Sequence, residues 1–129
     1  MVEISTSLLS VKEESIKKIY DLEVAHTDYY HIDVMDGKFV ETNTEERMKG
    51  YTNQIKQISN LPIDVHLMVE DIEKYVEEYM PYMPNIITFH YEACKNKEEV
   101  CNLISYIKDK GVKVGLAISP NTQIEKIYE

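Results

Sequence analysis

The chain has 129 residues, of which 43% are hydrophobic, and these proportions are typical of one globular domain. Its formal net charge of -9 and its pI near 4.9 disfavour phosphate backbones, and its 14 basic residues are scattered, so we do not expect nucleic acid as a partner. The sequence has neither an apolar run of membrane-spanning length nor a basic leader with an apolar centre. We therefore expect a cytoplasmic protein with no membrane partner.

Five short apolar runs predict five strands, and helical patterns lie between them. The predicted strands are Ile4–Leu9, Tyr29–Met35, Ile63–Val69, Ile86–Tyr91 and Lys113–Ile118. The predicted helices are Glu13–Leu22, about Glu45–Ile58, Ile72–Tyr79 and Lys97–Lys110, with Gly111 after the last and a further helical pattern over Gln123–Glu129. This alternation predicts an α/β fold of right-handed βαβ units, either an open doubly wound sheet or part of an eight-stranded barrel.

Polar residues interrupt the predicted strand that opens the stretch HIDVMDGKFV. His31 and Asp33 are two positions apart, so their side chains share one face, and Asp36-Gly37 then predicts a turn. The polar residues that stand late in the first four strands are Ser7, His31, Asp33, His66, His90 and Glu92. Barrel enzymes collect catalytic residues at that end of several strands, so this distribution favours the barrel. A GxGxxG motif does not follow the first strand, which weakens a dinucleotide-binding open sheet.

Three histidines in separate strands, with carboxylates nearby, predict a mononuclear metal site or an acid–base site. Imidazole and carboxylate ligands suit zinc, iron, manganese or cobalt, and the residues do not choose among them. Met35 and Met68 share faces with the polar residues and are interpreted either as core filler or as substrate contacts. Cys94 and Cys101 fit neither a CxxC redox motif nor a zinc knuckle, so we predict two free thiols.

Five segments carry a resemblance to a known family. STSLLS, HIDVMDGKFV, LPIDVHLMVE, IITFHYEA and GVKVGLAISPNT resemble, in this order, the first five strand regions of the ribulose-phosphate 3-epimerases. The combination H-x-D-x-M-D-G-x-F followed by D-x-H-L-M is the most specific part. The resemblance implies a (βα)8 TIM-type barrel of which this chain holds about the first five units. Residues 1–129 would then be the N-terminal part of a ribulose-phosphate-binding barrel.

The same resemblance implies one divalent metal ion and the interconversion of D-ribulose 5-phosphate and D-xylulose 5-phosphate through an enediolate. His31, Asp33 and His66 would be metal ligands, and Asp33 would also be one of two proton-transferring carboxylates. The chemistry agrees with these residue types, because inverting a carbon beside a carbonyl needs a base, an acid and a cation that holds the enediolate oxygens.

The implied partner is a phosphorylated ketose. Ser7 and His66 would contact this substrate, and Met35 and Met68 would line the floor of its pocket. This chain departs from the family pattern at several positions, among them Ser119, where an asparagine is common.

The family's sixth to eighth strand regions would supply the second acidic ligand and the phosphate-binding loops, and these 129 residues contain no counterpart of them. Two open strand edges would favour pairing with another copy, so we expect a homo-oligomer or a truncated product of a longer epimerase. Two other functions stay open: a D-allulose-6-phosphate 3-epimerase, and a non-catalytic half-barrel that binds or scaffolds other proteins.

Overall fold

The computed structural model describes residues 1–128, over which strands and helices alternate. The strands are β1 (Ser5–Ser7), β2 (Tyr29–Met35), β3 (Ile63–Met68), β4 (Ile86–His90) and β5 (Lys113–Ala117). The helices are α1 (Ser15–Val24), α2 (Glu45–Ile58), α3 (Ile72–Tyr79) and α4 (Lys97–Asp109), with short 3-10 turns at Met80–Tyr82, Tyr91–Ala93 and Ile124–Ile127. The last turn occupies most of the predicted pattern Gln123–Glu129, whose final residue lies outside the described residues.

The strands form one parallel sheet in the order β1-β2-β3-β4-β5. A doubly wound sheet reverses its strand order at a switch point, whereas a barrel adds each strand beside the one before it. The sequential order therefore decides between the two predicted architectures and gives the strand arrangement of a partial (βα)8 barrel. Within the described residues, β1 and β5 each pair with a single neighbouring strand.

Alternation along the strands separates an apolar face from a polar one. Tyr30, Ile32 and Val34 of β2 are fully buried. They belong to one hydrophobic cluster that also contains Ile19 of α1, Met48 and Ile55 of α2, Val76 of α3 and Ile107 of α4. The intervening residues of each strand point to the opposite face of the sheet, which leaves that face available for polar groups. Among residues 1–128, no helix is both long enough and apolar enough to cross a membrane.

The predicted bounds of β2, α2 and α3 agree with the structure, and the other strands and helices differ by one or two residues at their ends. The helix α1 begins at Ser15, later than predicted, because Glu14 has φ of 51°, which a right-handed helix does not accommodate. The strand β1 ends at Ser7, where the backbone N–H of Leu9 turns to the Ser7 hydroxyl at 3.2 Å. The residue Gly111 follows α4 with φ of 80°, which is the predicted glycine cap.

Gly115 of β5 lies directly opposite Thr88 of β4, and the close approach depends on the missing side chain. A Cβ atom at Gly115 would lie 2.2 Å from Thr88 Oγ1. We expect Gly115→Ala to lower the free energy of unfolding by about 1–3 kcal/mol through this overpacking. The matched control is Gly50→Ala on the exposed side of α2, where a Cβ meets nothing within 4 Å, and which we expect to stabilise by about 0.5–1 kcal/mol. Urea unfolding measures both, and equal midpoints for the two variants would contradict the prediction.

Both cysteines are free, as predicted, but their surroundings differ. Burial, helped by the charge of Glu99, raises the pKa of the half-buried Cys94 thiol to about 11, whereas Cys101 is exposed. Because the thiolate is the reactive form, we expect iodoacetamide at about pH 8 to modify Cys101 and to leave Cys94 unmodified in the folded chain. Peptide mass mapping before and after unfolding in urea measures this, and fast native labelling of Cys94 is the opposing result.

Candidate metal centre

The pairing of β2 with β3 assembles a polar cluster on the face away from the helices. The parallel register sets His31 opposite Asp64 and Asp33 opposite His66. The same parity places all four side chains on one side of the sheet. The sequence placed His31 and Asp33 on a shared face, and the register adds the two residues of the neighbouring strand.

Two of these side chains, those of His31 and His66, converge on the carboxylate of Asp33. His31 Nε2 lies 3.0 Å from Asp33 Oδ1, and His66 Nδ1 lies 3.3 Å from the same oxygen. One potential ligand atom from each of the three residues lies within 4.8 Å of the others. Two imidazole nitrogens and one carboxylate oxygen are donors that zinc, iron, manganese and cobalt accept. The cluster could therefore hold a divalent metal, and these are the three residues predicted as ligands.

Asp33 is ionised and held in place by its neighbours. Burial alone would raise the pKa of Asp33, but hydrogen bonds with His31, His66 and Ser7 outweigh it and hold that pKa well below its usual range. The Ser7 hydroxyl donates to Oδ2 at 2.7 Å, and the backbone carbonyl of Asp33 accepts the Thr44 hydroxyl at 2.6 Å. The predicted substrate contact Ser7 thus also orients the carboxylate.

The second ring nitrogen of His31 contacts Asp64, a residue to which the sequence assigned no role. His31 Nδ1 lies 2.7 Å from Asp64 Oδ2, and the Ser5 hydroxyl donates to the same oxygen at 2.9 Å. The hydrogen bond to Asp33, and then the one to Asp64, raise the pKa of His31 to about 9. The sequence could have indicated Asp64 as a member of the cluster, because Asp64 stands two residues before His66 and so shares its face of the strand.

His66 also contacts a second group through its other nitrogen. His66 Nε2 lies 2.8 Å from His90 Nε2, and His90 Nδ1 lies 3.4 Å from Glu92 Oε2. Burial, and then the neighbouring His66, lower the pKa of His90. Burial would raise the pKa of Glu92, but hydrogen bonds from the Thr122 side chain and the Ser119 backbone N–H keep it below its usual value. The sequence predicted His90 as one of three histidines of a metal or acid–base site, and it noted Glu92 as a polar residue late in the fourth strand, whereas the structure places Glu92 in the turn after β4.

The predicted pocket-floor residues lie at the ends of the same two strands. Met35 pairs with Met68, both are half-buried, and both share the face of the cluster. The predicted turn follows directly, because Asp36 Oδ1 accepts the backbone N–H of Lys38 and Gly37 has φ of 73°. The other carboxylate oxygen of Asp36 accepts the backbone N–H of Glu70 at 2.8 Å, which ties together the ends of β2 and β3.

A sequence model of the Ribulose-phosphate 3 epimerase family matches residues 3–129. The chain belongs to this family.

Individual members of the ribulose-phosphate 3-epimerase family match nearly the whole chain. The ribulose-phosphate 3-epimerase of Bacillus subtilis (strain 168) is 33% identical over 128 residues, which are 98% of this chain and 57% of that protein. The enzyme of the same name from Helicobacter pylori (strain J99) is 35% identical, covering 98% and 55%, and that of Methanocaldococcus jannaschii is 38% identical, covering 98% and 52%. The chain spans about half the length of the curated relatives it matches. The family predicted from the strand motifs is therefore confirmed.

The raised pKa of His31 makes the stability of the metal-free epimerase-family chain depend on pH. A histidine whose folded pKa lies above its unfolded value of about 6.5 stabilises the fold fully below that pH, and loses this contribution as the pH rises through the folded value. We therefore expect the free energy of unfolding to fall between about pH 6.5 and pH 9, the latter being the pKa of His31. Urea unfolding in the presence of a chelator measures the fall, and Asp64→Asn should make it smaller. An equal fall in the Asp64→Asn variant would contradict this assignment.

Proposed function

We propose that this chain is the metal-binding part of an epimerase that interconverts D-ribulose 5-phosphate and D-xylulose 5-phosphate. The observation that carries the proposal is the convergence of His31, Asp33 and His66 on neighbouring parallel strands of a family member. Residues 1–129 are proposed to be the N-terminal part of the barrel. Since the chain spans about half of its relatives, the activity is proposed for a site that includes further residues.

Asp33 is proposed as the catalytic base that removes the proton from C3 of the ketose. A base must be ionised and aimed before the reaction begins, and the hydrogen bonds that lower the pKa of Asp33 provide both conditions. The hydroxyl of Ser7 fixes the Oδ2 atom, so the carboxylate does not rotate freely. A second acid, on the opposite face of the substrate, would return the proton and invert the carbon.

The proposed ligand atoms are His31 Nε2, His66 Nδ1 and a carboxylate oxygen of Asp33. A divalent ion, when bound, would supply positive charge that stabilises the two oxygens of the enediolate. In the structure, each histidine directs one ring nitrogen toward Asp33 and engages the other in a hydrogen bond. This leaves each ring little freedom to rotate.

Substrate contacts are proposed for Ser7, His66, Met35 and Met68. Their shared position, on the polar face and toward the ends of their strands, suits a ligand that lies across the carboxyl ends of β1, β2 and β3. The methionines would give the ketose carbon chain a flexible apolar floor. A cytoplasmic location and assembly with a second copy belong to the same proposal.

Metal analysis tests the metal site directly. We expect the purified wild-type chain to bind about one divalent ion per chain, because three ligands supply the main part of a mononuclear site. Asp33→Asn and His66→Asn should each reduce the bound metal at least about 10-fold, since each removes one ligand. The matched control is His26→Asn, because His26 is an exposed histidine in the turn after α1. A wild-type chain that binds no metal, or variants that bind as well as the control, would remove the proposal.

Exchange of solvent deuterium into sugar phosphates tests the reaction. We expect exchange at C3 of D-ribulose 5-phosphate to depend on the Asp33 carboxylate and to disappear in Asp33→Asn. A parallel assay with D-allulose 6-phosphate separates the two sugar specificities, and faster exchange with the six-carbon sugar would replace the proposed substrate. Bound metal without exchange into either sugar would limit these 129 residues by themselves to metal binding, and the reaction would then require the further residues of the site.

A further inference from the structure

His66 and His90 lie edge to edge in nearly one plane. Their ring centroids are 5.0 Å apart, their planes differ by 19°, and the two Nε2 atoms are 2.8 Å apart. The centroid separation is close to the sum of this N···N distance and the two ring radii, so the rings share an in-plane N–H···N hydrogen bond. Such a bond holds one proton, which belongs either to His66 or to His90.

Glu92 determines which ring carries that proton. An ionised carboxylate only accepts hydrogen bonds, so the nitrogen that faces it, His90 Nδ1, must carry a hydrogen. The neutral His90 ring then has its lone pair on Nε2 and accepts from His66. His66 therefore carries a hydrogen on Nε2, which leaves Nδ1, the atom 3.3 Å from Asp33 Oδ1, as the ring nitrogen that a metal can bind in place of a hydrogen.

The carboxylate of Glu92 is itself held by the loop that follows β5. Its Oε1 atom accepts the backbone N–H of Ser119, and the Thr122 side chain donates a further hydrogen bond. The ring of Phe39 packs against His90 with centroids 5.3 Å apart, which limits rotation of that ring. The side chains of Glu92 and His90 are 23% and 11% exposed, so water competes only partly for these bonds.

We propose that Glu92 is a positioning residue that acts through His90 to keep a hydrogen on His66 Nε2, so that His66 Nδ1 is the nitrogen left to bind a metal. The inference rests on the proposed metal site and extends it to residues outside the ligand set. Carboxylates that orient ligand histidines through their second nitrogen commonly change metal affinity by about 10–100-fold when removed. Here the carboxylate acts through an intervening histidine, and the loop after β5 determines where that carboxylate lies.

The test compares Glu92→Gln with Glu98→Gln, which removes the same charge from an exposed position in the first turn of α4. A glutamine can donate to His90 Nδ1, so that His90 carries its hydrogen on Nε2 and donates it to His66 Nε2, which leaves the hydrogen of His66 on Nδ1. In a Co2+ titration of the full chain, we expect the affinity of Glu92→Gln to fall about 10–100-fold and that of Glu98→Gln to stay within about 2-fold of wild type.

A second variant tests the same link without changing the contacts between Glu92 and the loop after β5. His90→Phe retains the ring against Phe39 but removes the acceptor for His66, so we expect a similar loss of Co2+ affinity. Because Glu92 acts through His90, the double variant should bind Co2+ no more weakly than His90→Phe alone. Additive losses would mean that Glu92 acts by another route and would overturn the proposal.

Nitrogen-15 NMR of the metal-free chain gives a readout that does not depend on metal binding. We expect the ring shifts of His66 to report a hydrogen on Nε2 in the wild type, and the loss of that hydrogen from Nε2 in a substantial part of the Glu92→Gln population. Unchanged ring shifts in Glu92→Gln would overturn the proposal. A wild-type chain that binds no Co2+ but shows the expected shifts would instead contradict the proposed metal site. The hydrogen positions assigned to His66 and His90 would still be supported.

Discussion

The ionised carboxylate of Asp33 is the group on which the polar face of the sheet depends. It is 8% exposed and lies in the central part of β2, where an unpaired charge would cost several kcal/mol. The surrounding side chains offset this cost, since Ser7, His31 and His66 all place polar atoms against its oxygens. Removing any of these three side chains would leave the Asp33 carboxylate with fewer polar contacts. The carboxylate that we propose as base and ligand is therefore also the group that the three side chains share.

The strand register gives this charge its partners. In a parallel pair, a slip of one residue would move His66 to the helix-facing side of β3 and replace it with an apolar neighbour. The apolar residues of the other face oppose such a slip, because Val65 and Leu67 would leave the core. Packing against the helices therefore fixes the geometry of the polar face, although the two sets of residues lie on opposite sides of the sheet.

The two histidines of the cluster are oriented in different ways. His31 directs Nε2 inward and contacts Asp64 through Nδ1, whereas His66 directs Nδ1 inward and contacts His90 through Nε2. Each arrangement ends on a carboxylate, and each fixes the orientation of its ring. The outer carboxylates come from β3 and from the turn after β4, and Ser7 comes from β1. Four successive strands therefore contribute to the cluster, whereas its three inner residues, His31, Asp33 and His66, come from β2 and β3.

The sequence by itself determined the family, the alternation of strands and helices, and the shared face of His31 and Asp33, because these depend on motif, periodicity and parity within single segments. Segment order alone left two sheet architectures open, since it does not state which strands pair, and the polar residues late in the strands and the family resemblance then favoured the barrel. Only the tertiary structure decided the sequential strand order, the pairing of His31 with Asp64 and the link from His66 through His90 to Glu92. Those contacts depend on the register between strands. The packing of the whole sheet against its helices sets this register, and no single segment encodes it.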